Sequence, residues 1–222
     1  MRGDGKICGL MAALTGGKQL GARARRKAER PAEILEAAFE EFVERGYAAT
    51  RVEDIAARIG VTKGTVYFYF ETKELLFEQM LQHISTPFAD VTEELGKLEG
   101  PYPERIKAFV RLMYDRIATN RNSRELLRFI IAEGSRFPQA VDRHHDLYVM
   151  PMFSAARALF EAGVAAGELR DCPMLKIPEI AISPALLLSF WYLLFSDRKT
   201  HDVDAFIDAH LDMLMNGILI HR

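Results

Sequence analysis

The stretch from Thr50 to Lys73, TRVEDIAARIGVTKGTVYFYFETK, leaves the chain few ways to fold. Thr50 is suited to an N-cap, and Glu53 three residues later completes the spacing of a capping box. Val52, Ile55, Ala56 and Ile59 then share one helix face, and Gly60 supplies a left-handed stop. A second helix starts at once. Thr62 caps it, Val61 and Val66 hold the staple positions, and it runs through Tyr67 to about Phe70. Two short helices joined by so tight a corner, the second polar on its leading face, read as a helix-turn-helix. In that motif the second helix enters the major groove of DNA.

The residue types fit that task. Lys63, Gly64 and Thr65 occupy the N-terminal turn of the second helix, where side chains reach furthest into the groove. Lys63 can donate to guanine O6 or N7, and Thr65 can offer its hydroxyl or set its methyl against a thymine methyl. Gly64 costs about 1 kcal/mol inside a helix. Close approach of the backbone to DNA is a physical reason to tolerate it. Lys73 with the free amides at its own helix start, and Thr50 with Arg51 one helix earlier, suit phosphate. Tyr67 and Tyr69 carry phenol hydroxyls that can reach phosphate, whereas Phe68 has no donor and stays outside the set. Val66, Tyr67 and Phe70 also have the spacing of plain core residues.

The rest of the chain reads as helices around this unit. The first helix is expected near Pro31 to Arg45, with Ile34, Leu35, Ala38, Phe39, Phe42 and Val43 inward and Glu40, Glu41 and Glu44 on a solvated face. Before it, residues 1–30 lack a helical period; Arg23, Arg25, Arg26, Lys27 and Arg30 form a basic arm that is either a solvated tail or a DNA-contacting segment. A fourth helix begins at Lys73, Pro87 either interrupts or bends it, and Gly100-Pro101 ends the region. Ile106, Phe109, Val110, Met113, Tyr114 and Ile117 make a strongly amphipathic fifth. Ser123 is the expected cap of the next, and a long helix covers about Gln139 to Ala166. The stretch Glu179 to Phe195 is apolar nearly all round, which requires more cover than its own domain supplies; Pro184 either kinks it or restarts it with Ser183 as cap. The fold class is all-α with about nine helices, and no strand alternation or repeat.

Composition narrows the function. A net charge of −2 and 49% hydrophobic residues describe a globular protein that does not coat nucleic acid indiscriminately, though a local basic patch is enough for a specific site. Two cysteines far apart suggest a reduced, cytoplasmic protein without cofactor or structural metal. His144 and His145 point about 100° apart on a helix and have no carboxylate or cysteine cluster beside them. The longest uncharged run, Ile180 to Ser196, is short of the roughly 20 residues of a membrane span. No nucleophile elbow, zinc-protease, phosphate-loop or dinucleotide motif occurs, which leaves a helical enzyme with a DNA-binding head as a remote alternative.

From Ile34 to Leu81 the chain resembles the N-terminal domain of TetR/AcrR-family transcriptional regulators. The resemblance is carried by Phe39 to Phe42, Gly46-Tyr47, Thr50, Asp54-Ile55-Ala56, the run Gly60 to Tyr67, Phe70 and Lys73-Glu74-Leu75. It implies a basic arm over 1–30, a DNA-binding domain over 31–75, and a ligand-sensing and dimerisation domain over 76–222. The DNA contacts it implies are Thr50, Arg51, Thr62, Lys63, Gly64, Thr65, Tyr67, Tyr69 and Lys73. It also implies a fourth helix whose tilt sets the spacing of two reading heads, and a pocket among the middle helices. Candidate pocket residues are Phe88, Phe109, Met113, Tyr114, Phe129, Tyr148, Met152 and Trp191. The last two helices of each subunit would form a four-helix homodimer interface containing Phe190, Leu194, Phe206, Leu211 and Leu214. The expected function is a homodimeric repressor released from operator DNA by a small apolar or amphipathic effector. An activator, or a regulator controlled by a protein partner, is the alternative.

Overall fold

Helix α1 of the computed structural model spans Ala22–Ala49 and contains a break at Gly46, where φ is 75°. Such a φ is ordinary only for glycine, so Gly46 is where the straight helix stops and the chain turns toward the next element. The structure describes residues 22–195 and 198–220, with side chains from Glu29 onward except Pro87. The expected arm side chains Arg23, Arg25, Arg26 and Lys27, and Cys8, lie outside the described set. The backbone nonetheless corrects one boundary: helix begins at Ala22, so Pro31 sits inside α1 and not at its first position.

Two short helices follow, α2 (Val52–Arg58) and α3 (Lys63–Tyr69), then α4 (Lys73–Ile84). The inward stripe of α1 (Ile34, Ala38, Phe39 and Phe42) is buried against Ile55 and Ala56 of α2, Val66 of α3 and Leu76, Phe77 and Met80 of α4. Phe77 is the hub of this core. Its ring meets Phe42 at 5.1 Å and Tyr47 at 4.8 Å, and also Phe129 at 5.7 Å and Phe137 at 4.8 Å from much later in the chain. The core of the first three helices therefore continues through α4 into the second half of the molecule.

The acidic face of α1 departs from expectation. Glu41 is buried beside Arg58 (2.9 Å) and Arg45 (3.2 Å), Glu44 takes Arg58 at 2.6 Å, and Glu40 takes Arg121 in two hydrogen bonds of 2.8 and 3.0 Å. These glutamates do not form a free solvated face. They tie α1 to α2 and to a later helix.

Helix α4 is interrupted, not bent, ahead of Pro87. Ser85 caps it by donating to the Leu81 carbonyl (2.8 Å), a tight turn at Thr86–Phe88 carries Pro87, and a separate helix α5 (Val91–Gly96) follows. Next comes α6 (Tyr102–Met113), which widens into a π-helical turn over Tyr114–Thr119. Helix α7 is Arg121–Glu133, and α8 (Pro138–His144) passes through a second π turn (His145–Val149) into α9 (Met150–Ala165). That turn lies just before Pro151, which cannot donate to the carbonyl of Leu147 and so favours a locally widened helix. Helix α10 is Pro178–Phe195 and α11 is Val203–Ile218. Pro184 does not restart α10: it removes the amide owed to the Ile180 carbonyl, and the Ser183 hydroxyl supplies a donor there at 2.9 Å. Since α8 and α9 are continuous, the described residues make ten rods. The one strand-like feature among them is an isolated bridge between Leu169 and Leu219. The expectation of about nine missed the short α5, while the all-α class holds.

Candidate nucleic-acid interface and the cavity behind it

The corner between α2 and α3 is built by the backbone. Gly60 adopts φ 66°, and the Val61 amide donates to the Ala56 carbonyl at 2.9 Å. Thr62 then caps α3 as the sequence suggests: its Oγ1 accepts from the Thr65 amide at 3.2 Å and lies 3.0 Å from the Thr65 hydroxyl. Val66 and Phe70 are buried beneath α3, which turns Lys63, Gly64, Tyr67 and Phe68 outward.

Gly64 has no reason within this fold to be glycine. Its φ is not positive, and an added Cβ would meet nothing closer than Thr62 Oγ1 at 3.8 Å. Phe68 is 72% exposed on the same short helix, a large apolar ring with no cover, and sequence reasoning passed it over because it lacks a donor. Its signal was its place in the register of α3, one position from residues already assigned outward.

Several expected contacts are placed differently. Thr50 is 2% exposed, and its hydroxyl points inward to the carbonyls of Gly46 (2.8 Å) and Glu41 (3.1 Å). It is a joint between α1 and α2, not the N-cap; Arg51 holds that position and is exposed. Glu53 does not close a capping box either. It pairs with Lys63 at 2.6 Å, and this hydrogen bond holds the Lys63 pKa above and the Glu53 pKa below their usual values. Lys63 is also 5.5 Å above the Tyr67 ring. Lys73 caps inward, donating to the Tyr47 carbonyl at 2.5 Å with its ammonium 4.4 Å over the Tyr47 ring, and burial lowers its pKa. Tyr69 is half-buried beside Phe68, with ring centroids 5.1 Å apart. The outward set is thus Arg51, Thr62, Lys63, Gly64 and Tyr67, joined by Phe68, with Thr65 and Tyr69 at its margin.

Behind α4 lies a cavity of about 330 Å³ between α7, the two π turns, α9 and α10. Of the expected pocket residues, Phe88, Tyr148 and Met152 are on its wall. Phe109, Met113 and Tyr114 are not: they are packed in the core of the second half, where the Tyr114 hydroxyl lies 3.0 Å from His210 Nδ1 and burial pushes the Tyr114 pKa up to about 12. Phe129 belongs to the aromatic group around Phe77. Trp191 sits at the far end of α10, its ring tilted against Phe195 and edge-on to His201, and donates to the Lys199 carbonyl at 2.7 Å. Leu126, Ile130 and Ile182 are among the aliphatic residues that also line it, and nothing in an aliphatic helix stripe distinguishes a cavity wall from plain core.

His144 joins this cavity to α4. The single hydrogen of the Ser85 hydroxyl goes to the Leu81 carbonyl, so Ser85 must accept from His144 Nδ1, 2.9 Å away. The ring is therefore an Nδ1–H tautomer. Burial, with His145 second, lowers its pKa to about 4 and keeps it neutral.

The dimer candidates divide by exposure. Phe190 and Leu194 face outward on α10 in line with Ile180 and Leu187, while Met213 faces outward on α11. Leu211 and Leu214 are buried in their own subunit's core, and Phe206 packs against that core, so they do not form an exposed interface.

A helix-turn-helix head joined by one helix to a larger helical body defines a class of DNA-binding transcriptional regulators, and comparison with known proteins agrees. Residues 34–80 match the family model for bacterial regulatory proteins of the tetR family, and residues 105–174 match the C-terminal domain of AefR-like transcriptional repressors. The chain belongs to the TetR/AcrR family of transcriptional regulators. An HTH-type transcriptional repressor of Mycobacterium tuberculosis is 29% identical over 187 residues, 83% of this chain and 84% of the relative. Two solved structures share the fold at 20% identity. A putative transcriptional regulator of Saccharomonospora viridis, in complex with choline, gives a TM-score of 0.72 over 87% of this chain and 100% of its own. The regulator FadR of Bacillus subtilis, in complex with stearoyl-CoA, gives 0.66 over 86% and 99%.

Proposed function

We propose that the chain is a homodimeric, cytoplasmic repressor that places α3 in the major groove of operator DNA and lets go when a small apolar or amphipathic molecule fills the cavity behind α4. The observation that carries the DNA part is the outward face of α3: an exposed glycine that its own fold does not require, next to Lys63 and Tyr67. Lys63 is prepaired with Glu53, so binding exchanges one ionic partner for DNA. The apolar stripe Ile180, Leu187, Phe190 and Leu194 on α10 supports a second copy as the partner there. Two heads on one dimer read two half-sites, which is how a motif this small reaches useful affinity.

Release by a ligand requires that the ligand favour the conformation that binds DNA poorly, by an amount equal to the coupling between the two sites. Helix α4 is the element both sites share, since its Phe77 lies in the head's core and its capping residue, Ser85, touches His144 on the cavity wall. Named relatives that hold choline or stearoyl-CoA support a ligand-responsive body, without identifying the ligand of this chain.

The test is fluorescence anisotropy of the full chain on DNA from upstream of its own gene against scrambled DNA, over a salt series. Wild type is expected to prefer the upstream DNA, and Lys63→Ala with Tyr67→Phe to lose that preference. Equal, steeply salt-dependent binding to both DNAs by wild type would show phosphate attraction alone and sink the specific-regulator reading.

A further inference from the structure

Four side chains with polar atoms stand on the otherwise apolar cavity wall, Ser123, His144, His145 and Tyr148, and two of them bear on what the cavity can hold. Ser123 is 5% exposed, and its Oγ is enclosed with no hydrogen-bond partner among the described residues. The sequence suggests it as the cap of α7, but Asn120 does that work, accepting from the Ser123 amide at 3.1 Å. Ser123 is thus the third residue of α7, in a first turn whose cap Asn120 already supplies. A buried hydroxyl kept without a partner is unfavourable unless something arrives to satisfy it.

His144 is the second. It stands between the cavity and a small polar niche that contains Ser85, Glu78 and Gln82. Its Nδ1–H is committed to Ser85 on the niche side, so the edge that carries Nε2 and Cδ2 is turned away from the niche, toward the cavity. In this tautomer Nε2 is a lone-pair acceptor. No Lys, Arg, Asp or Glu lines the cavity among the described residues, and His145 on its rim has its Nδ1 3.0 Å from Asp146. A carboxylate here would face a lone pair with no cation to balance it. An ammonium group would lose its hydration with no anion in return.

We propose that the cavity takes a neutral, mostly apolar molecule carrying a hydroxyl group, recognised by Ser123 and His144, and that His144 passes its arrival to α4 through Ser85. The hydroxyl donates to Nε2 or, once the enclosed Ser123 side chain turns toward the cavity, accepts from its Oγ, and the remainder fills the aliphatic wall of Leu126, Ile130, Met152 and Ile182. A change in the tilt of the imidazole acts on the Ser85 oxygen, which also holds the last turn of α4 through Leu81. This deepens the effector reading above and rests on it for the role of α4.

The test uses the full chain at pH 7.5 with three probes of equal chain length: 1-decanol, decanoate and decylammonium. By titration calorimetry, decanol is expected to bind about tenfold more tightly than either ion. Ser123→Ala and His144→Phe are each expected to weaken decanol about tenfold. Ser123→Ala also has a readout apart from binding, because the free variant should melt higher than wild type. Ser85→Ala is expected to keep decanol binding but to lose the change in hydrogen exchange that decanol produces at Leu81 to Ser85 in wild type. Decanoate or decylammonium binding as tightly as decanol, absence of decanol binding, or an undiminished affinity in Ser123→Ala would overturn the ligand class. Persistence of the exchange change in Ser85→Ala would overturn the relay. None of these readouts involves DNA, so failure of the operator assay would sink the regulator reading while leaving the decanol result standing.

Discussion

At the scale of single residues, the most informative positions are those whose identity the fold itself does not demand. Gly64 is one. Alanine at that site would touch only Thr62 Oγ1, at 3.8 Å, so Gly64→Ala is expected to stabilise the free protein by about 1 kcal/mol through helix propensity. The same substitution should weaken operator binding by roughly tenfold or more if the backbone approaches DNA there. Thermal melting and anisotropy on one sample check both signs; a stabilised variant with unchanged affinity would remove Gly64 from the interface. His144 supplies a pH test. Its pKa is about 4 in the native state against 6.5 in the unfolded chain, so between those values the unfolded state binds a proton that the native state refuses. Stability is therefore full above about pH 6.5 and falls as pH drops through 4, by about 3 kcal/mol in total. His210, lowered by burial beside Tyr114, adds in the same direction. Urea melts across this range should flatten in His144→Asn, which keeps a donor for Ser85 but does not titrate. The sequence made Lys63, Gly64 and Thr62 legible because their positions in a capped turn determine where they point. It did not reveal Thr50 as a buried joint, because a capping threonine and one bonded backward to the preceding helix have the same local spacing.

At the scale of elements, boundaries read from local signals were good where a backbone-determined stop exists and poor where the cause is tertiary. Gly60 and Thr62 mark the corner between α2 and α3 in sequence and in space. By contrast α4 ends at Ile84 through Ser85, whose partners are Leu81 and the distant His144, and no periodicity announces that. The two π turns were likewise invisible, since their apolar residues keep an acceptable helical spacing. The division near residue 75 follows the motif, but the aromatic core does not. Phe129 of α7 and Phe137 beside α8 pack on Phe77, so the head's core is completed by the body. Phe129→Ala is accordingly expected to cost about 3–5 kcal/mol. It should also shift a single unfolding transition, with far-UV circular dichroism and the fluorescence of the one tryptophan, Trp191, changing together. A dichroism change that precedes the tryptophan change would instead show a head that unfolds by itself.

At the scale of the whole molecule, the proposed dimer rests on α10. Its 18 residues are apolar enough by length and composition to cross a membrane, yet Ala181, Ile182, Ala185, Leu188 and Ser189 are buried in its own subunit. The opposite face holds Ile180, Leu187, Phe190 and Leu194, of which Leu187 is 59% and Leu194 66% exposed. These recur at i, i+7, i+10 and i+14, one continuous stripe on a helix. The sequence shows that α10 needs outside cover but does not orient it, because a helix apolar on every side has no preferred face; Leu211 and Leu214 of α11, implied by the family's four-helix interface, are buried in their own subunit. Leu187→Glu combined with Leu194→Glu places two carboxylates on the stripe without touching the core, so the subunit should stay folded, with its melting temperature little changed. The pair of charges would be buried without partners in a dimer, which should therefore dissociate. Light scattering on the eluting protein is expected to report a monomer, and operator affinity to fall by about 100-fold or more, because each head then binds without the high effective concentration its partner supplies. Leu214→Ala is the contrasting case: it should lower the melting temperature and leave the dimer intact. If the double glutamate variant stays dimeric, the second copy sits elsewhere and α10 must have another partner; if it is monomeric but binds the operator undiminished, one head is sufficient and the two-head reading of recognition is lost.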